Sequence, residues 1–268
     1  MPYLNPMKKI YTIPFMLVLA ISFLLNTSCS KDEKGDDQIE ITEDKPGEIP
    51  GLGEAEGELT GQKYKLPEGI EQVGEIIGYE GDINPTAKQK SRELRASGKN
   101  NAKKAESPAE VSTDFSRGSG YYVRVRINLK NTTSSNRKVE LPAGLVIKSR
   151  SGTYQNGVLL KKTSIDIPAN KTILLDLHMY CGNAAKSSSS PSEKYDLAVI
   201  SNSSSLHDLI NRLKNKKINI EQYFKETDGM DKYEDIVAFL QNILWNVTDS
   251  ESGLLDDDIE YINSIPND

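Results

Sequence analysis

The sequence predicts an α+β protein, with an antiparallel β sandwich or small barrel followed by a C-terminal helical subdomain, the whole preceded by a disordered N-terminal tether. Three observations predict it. Between Gly120 and Ile200, short runs alternate apolar with polar residues and are punctuated by turn residues. From Leu206 onward, apolar residues recur at helical spacing. Between Ser30 and about Gln62, Asp, Glu, Gly and Pro crowd out large apolar side chains, a composition that buries too little surface to offset ordering entropy.

The elements follow in chain order. Residues 1–28 read as a signal peptide, and 29–62 as the acidic tether, whose typical reach is roughly 30 Å. Residues 63–117 read as a partly ordered arm and basic linker. Ile70, Val73, Ile76 and Ile77 are spaced for a short helix or for an arm docked in extended form. The stretch from Lys88 to Lys104 is basic but lacks interleaved aromatics, as a solvated linker or weak surface helix does.

Residues 118–203 form the expected β domain, immunoglobulin-like in its pattern of short strands. Val123, Val125, Ile127 and Leu129 alternate with polar residues, a half-buried strand. Asn131 to Asn136 is turn chemistry. A strand over Val139 to Lys148 is interrupted by Pro142-Ala143-Gly144, which favours an edge or a bulge. Gly157 to Ile167, Lys171 to Cys181 and Tyr195 to Ile200 complete the set. Residues 204–268 form the helical subdomain. Leu206, Leu209, Ile210 and Leu213 mark one helix, Tyr233 to Val247 a second with Asp231 as its N-cap, and Leu255, Ile259 and Ile262 a short third. Amphipathic helices need an apolar partner, and the β domain is the adjacent one.

Composition narrows the function classes. The chain carries 33 Lys and Arg against 39 Asp and Glu. Removal of Met1 to Ser28, which takes Lys8 and Lys9, leaves 240 residues with a formal balance of −8. That argues against general nucleic-acid binding. Two histidines, His178 and His207, sit in no recognised metal-ligand spacing, so no metal and no cofactor is expected. His178 lies three residues before Cys181 and so points to the opposite face of a strand, against a Cys-His dyad.

The N-terminus carries an address. Lys8 and Lys9 precede an apolar run from Thr12 to Leu25, which is short for a membrane span, and "LLNTSCS" follows with Cys29. This resembles the lipobox of bacterial lipoproteins in the form seen in Bacteroides-type surface lipoproteins. The resemblance implies lipidation of Cys29, cleavage before it and a membrane attachment held by acyl chains. Met1 and Met7 read equally well as the start, since "MKKIYT" is a common opening for such peptides. "SKDEKGDD", Ser30 to Asp37, resembles the acidic export signal of that group, which implies an outer-membrane, surface-exposed location.

Lipidation of Cys29 leaves Cys181 without an intrachain disulfide partner. Cys181 closes "MYCGN", and Gln241 and Trp245 lie in "LQNILWNVTD". The pair resembles the thioester domains of bacterial surface adhesins over residues 171–249. There, a cysteine after an aromatic residue bonds to the glutamine of a hydrophobic-Gln-x-x-hydrophobic-Trp pattern. Tyr180, Leu240, Gln241, Leu244 and Trp245 fill those positions, with Leu240 where the family usually has Thr. The resemblance implies an internal thioester between Cys181 and Gln241, with Tyr180 and Trp245 in support. A thiolate attacking the glutamine carbonyl and expelling ammonia makes an electrophile that needs apolar shielding from water.

Three readings stay open on these residues. One is a non-catalytic binding or adhesion lipoprotein, not an enzyme, attached to the membrane through Cys29 and facing an extracellular protein or glycan. The second is a covalent adhesin using Cys181 and Gln241. The third is an extracellular hydrolase with a dispersed site.

Overall fold

The computed structural model describes residues 39–80 and 116–268. The signal-peptide region, Cys29, residues 30–38 of the tether and the basic stretch Lys88–Lys104 lie outside these residues. The strands are β1 (Gly61–Lys63), β2 (Ile70–Gln72), β3 (Ile76–Gly78), β4 (Ser116–Gly118), β5 (Val123–Asn131), β6 (Arg137–Leu141), β7 (Leu145–Ser149), β8 (Gly157–Val158), β9 (Thr163–Ile167), β10 (Thr172–Cys181) and β11 (Lys194–Ser201). The helices are α1 (Ser204–Leu213), α2 (Gly229–Thr248) and α3 (Asp256–Ser264), with a 3₁₀ turn at Ile220–Gln222. The architecture is α+β and mostly antiparallel.

Six strands close on themselves in the order β5, β3, β11, β7, β8, β10 and back to β5, forming a barrel. The longest pairing, β5 against β10, sets Val125 opposite Leu177, Ile127 opposite Leu175 and Leu129 opposite Ile173. Period-two alternation sends all six inward, where none exceeds 2% exposure, and such cross-strand apolar pairs are the unit of sheet stability. β1 adds to β11 and β2 to β5, while β4 lies parallel to β10. A separate β6–β9 ribbon contributes Val139, Leu141, Ile165 and Ile167 to the same core.

Two apolar runs that read as single strands are each divided between sheets. Pro142 lacks an N–H and Gly144 adopts φ +82°, so the chain turns there, leaving β6 in the ribbon and β7 in the barrel. The run from Gly157 to Ile167 divides likewise into β8 and β9.

A second core lies between the barrel wall and the helices. Val146, Val158 and Tyr180 face outward and meet Leu206, Leu209 and Leu213 of α1 and Tyr233, Val237, Leu240 and Leu244 of α2. The Ser203 hydroxyl caps α1 by accepting the Leu206 N–H at 3.1 Å. The Tyr233 hydroxyl donates to the Gly120 carbonyl and accepts the Gly120 N–H, tying α2 to the β4–β5 turn. α2 begins at Gly229, after Asp228 at φ +55°, and not at an Asp231 cap. A Cβ on Gly229 would stand 2.2 Å from the Tyr223 carbonyl oxygen, so the close approach that glycine permits starts the helix earlier. Asp231 sits in the first turn, where its charge suits the helix dipole.

The structure corrects the expected tether over residues 39–62 and takes the docked, extended form of the arm. Residues 39–62 belong to the fold: Ile49 and Leu52 are each 1% exposed, and the Thr42 and Gly47 N–H groups donate to Asn202 and Val247 carbonyls. Averaged composition hides this, because two of the few apolar residues of the segment, Ile49 and Leu52, sit at its contact points. Glycines 47, 51 and 53, all at positive φ, let the chain turn between them. The arm is extended, not helical, and Ile70 and Ile76 enter the barrel core. Among the described residues, no helix is long and apolar enough to cross a membrane.

Two predictions follow from this packing. Ile76→Ala should cost about 2–5 kcal/mol in urea unfolding, as for core truncation, whereas Val73→Ala, at an exposed position, should cost at most about 0.5 kcal/mol. Glu221 accepts bonds from the Thr163 hydroxyl and the Gly118 N–H, yet burial raises its carboxyl above the usual range. The folded state therefore holds that proton more tightly than the unfolded chain does. Its contribution to stability is greatest below the unfolded value of about 4.3 and falls as pH rises toward the folded value. Glu221→Gln should match the parent in acid and exceed it toward neutral pH, read from urea midpoints across the range.

Candidate functional site

The candidate site forms where β10 ends. Pairing between β5 and β10 stops at Val123 and Met179, so Cys181 has no strand partner on that edge. Gln241 of α2 takes the place of one. Its Oε1 accepts the Cys181 N–H at 2.8 Å, and its Nε2 donates to the Cys181 carbonyl at 2.9 Å. Both residues are at most 2% exposed. A buried carboxamide needs partners, and here the backbone of a residue 60 positions away supplies both.

Gln241, Trp245 and Asp249 recur every four residues and lie along the segment from Cys181 to Ala184. The half-buried Trp245 indole stands beside the Cys181 thiol and packs against the exposed Tyr122 ring, with centroids 5.8 Å apart. Asp249 accepts the Ala184 N–H at 2.8 Å and the Thr248 hydroxyl at 2.6 Å. Desolvation raises its carboxyl, and those two donors oppose the rise.

The thiol faces the barrel core, as its parity with Ile173, Leu175, Leu177 and Met179 requires. The Cys181 S–H donates to the Asn183 carbonyl at 3.3 Å, and Sγ accepts the Asn183 N–H at 3.4 Å. Burial pushes the thiol up to about 12, against the Asn183 backbone and the Trp245 indole, and the Asp249 charge adds to the rise. An unassisted thiol here is therefore neutral near pH 7.

Asn183 is itself buried at 2% exposure. Its Oδ1 accepts the Asn156 N–H at 3.0 Å, and its Nδ2 donates to the carbonyls of Gly53 at 2.9 Å and Gly51 at 3.3 Å. The segment Gly47–Leu59 thus straps the site. The Gly53 N–H donates to the Gly182 carbonyl, and a Cβ on Gly53 would lie 1.8 Å from the Thr248 carbonyl oxygen. Beside the strap is a cleft of about 430 Å³, lined among others by Gly53, Glu54, Glu58, Lys148, Asn156 and Asn183.

The structure brings Cys181, Gln241 and Trp245 together. Tyr180 points the other way, into the helical core, where burial raises its hydroxyl strongly. Among the described residues, no group of three or more His, Cys, Asp or Glu is placed to hold a metal ion. Sequence reasoning missed Asn183, Asp249 and the strap. Asn183 and Asp249 each stand inside a quoted motif, two residues after Cys181 and four after Trp245. Nothing local marks the strap beyond its four glycines. Comparison with protein families, curated proteins and solved structures finds no match to this chain.

Where the Gln241 carboxamide is intact, Gln241→Ala should leave two buried backbone groups orphaned at about 1–3 kcal/mol each. Gln241→Met, which preserves the volume but not the hydrogen bonds, should lose a similar amount. Urea unfolding checks this, and a loss confined to the alanine variant would point to packing alone.

Proposed function

We propose that this chain is a lipid-anchored surface lipoprotein whose barrel and helices form an adhesion module, and that the module holds its target covalently through a Cys181–Gln241 thioester. The anchoring rests on the lipobox at Cys29 and the acidic residues after it. The covalent step rests on one observation, the carboxamide of Gln241 docked on the backbone of Cys181 inside an apolar site.

That docking suits the chemistry in two ways. The Gln241 carbonyl oxygen already accepts a backbone N–H, so negative charge developing on it in a tetrahedral intermediate has a preorganised donor. The surrounding barrel core and Trp245 keep water from the product. Sγ bonds to Cδ of Gln241, the Cδ–Nε2 bond breaks, and the thiol proton leaves on the nitrogen as ammonia. An amine or hydroxyl of an extracellular protein or glycan then attacks Cδ. Its proton passes to Sγ, Cys181 departs as a thiol, and the target stays on Gln241 as an amide or ester. Each module acts once, so the role is attachment and not turnover.

Intact mass of the full chain with Cys29→Ser is the test. The parent should be lighter than its sequence mass by one ammonia, and Cys181→Ala and Gln241→Ala should not be. Methylamine should add one equivalent to the parent alone and restore a free thiol. A parent at its full sequence mass, with a thiol alkylated only after denaturation, would leave a non-covalent binding module with Cys181 as part of the core.

A further inference from the structure

The site as described is shut. Cys181 is fully buried, yet a target must reach Cδ of Gln241. The cleft of about 430 Å³ ends on Asn183 and the strap, not on the thiol. What stands between cleft and thiol is therefore the Asn183 backbone together with the carbonyls of Gly51 and Gly53 that its side chain holds.

We infer that the segment Gly47–Leu59 is a gate over the Cys181–Gln241 site, and that Asn183 is the positioning residue that couples the gate to the thiol. This rests on the thioester reading for its purpose, while the gate itself rests on the contacts of the strap.

Three features carry the inference. First, every polar group of Asn183 is committed, and the commitments divide: backbone N–H to Sγ, carbonyl to the S–H and to the Lys186 N–H, side-chain oxygen to Asn156, side-chain nitrogen to the strap. Movement of the strap thus acts on the residue that sets the thiol's position. Second, the strap is held at separated points. Gly47 bonds to Val247, Ile49 and Leu52 insert into the helical core with Leu59 against it, the Gly51 carbonyl also accepts from Asn156, Gly53 bonds to Gly182, and Glu58 pairs with Lys148. None of these is a continuous ladder, because β1 begins only at Gly61. Third, the strap touches both halves of the site. Leu52 lies against Gly182, next to Cys181, and Gly53 lies against Thr248, at the end of the helix that carries Gln241. Lifting it uncovers the turn next to Cys181 and the end of α2 together. A segment held by discrete contacts and no strand ladder opens at lower free energy than the barrel does.

The experiment uses the full chain with Cys29→Ser, which leaves Cys181 as its only thiol. Hydrogen exchange reads the strap, with β5 and β10 as the control for folding. Reactivity reads the site, as methylamine addition where the mass shows a thioester and as iodoacetamide alkylation where it shows a free thiol. The gate is thereby tested whichever state Cys181 is in. Asn183→Ala removes the side-chain latch, and Gly53→Ala drives a methyl group into Thr248. Each should raise exchange in residues 47–59 and raise site reactivity by at least about tenfold, with β5 and β10 still protected. The unsubstituted site supplies a measurement that no folding defect can spoil. In urea below the unfolding transition, reactivity should rise in step with exchange of the strap and ahead of exchange of β10. Reactivity that stays flat while the strap opens, or that rises only when β10 exchanges, would overturn the gate.

Discussion

The arrangement at the end of the barrel depends on one interaction, the two hydrogen bonds between the Gln241 carboxamide and the backbone of Cys181. β10 outruns its partner β5, and an unpaired N–H and carbonyl in a dry core are costly. The protein meets that constraint with a side chain from a helix. The register of α2 is then set against the strand, which places Trp245 beside the thiol and Asp249 against Ala184. A constraint of backbone pairing has thereby assembled an acyl carbonyl, a thiol and a shield from water in one place. The bond to Oε1 serves both stability and the proposed chemistry, whereas the bond from Nε2 is given up when that nitrogen leaves, so stability and chemistry are coupled at this point.

The layering follows from alternation. β10 sends Leu175, Leu177, Met179 and Cys181 into the barrel and Tyr180 into the helical core, so the strand is shared by two cores. That explains why Cys181 and Tyr180, adjacent in sequence, have different roles. Tyr180 belongs to the wall that the helices cover, and Cys181 to the interior that the Gln241 amide closes. The strap completes the closure by resting on the 181–183 turn and on the end of α2 together.

Much of this was legible in the residues. The alternation of β5, the length of β10 and the helical stripes of α1 and α2 all appear where period-two and period-3.6 patterns place them. The juxtaposition of Cys181 with Gln241 was legible only through the resemblance to thioester domains, because nothing in strand or helix periodicity brings positions 181 and 241 together. Elsewhere long-range pairing was hidden. The runs at 139–148 and 157–167 each look like one strand, and only the closing of the barrel shows that their halves belong to different sheets. The strap was illegible for another reason. Its composition is that of a solvated linker, and Ile49 and Leu52 count only because the rest of the fold offers them a site.

The central claim is a covalent bond between Cys181 and Gln241, and a peptide map tests it most directly. Trypsin cuts after Lys171, Lys186 and Lys232, giving one peptide of residues 172–186 with Cys181 and another of residues 233–268 with Gln241. Digestion under mildly acidic conditions preserves a thioester. The account predicts a single species joining the two peptides, lighter than their summed mass by one ammonia, that comes apart on treatment with hydroxylamine. Two separate peptides at full mass, with a free thiol in the first, would contradict it.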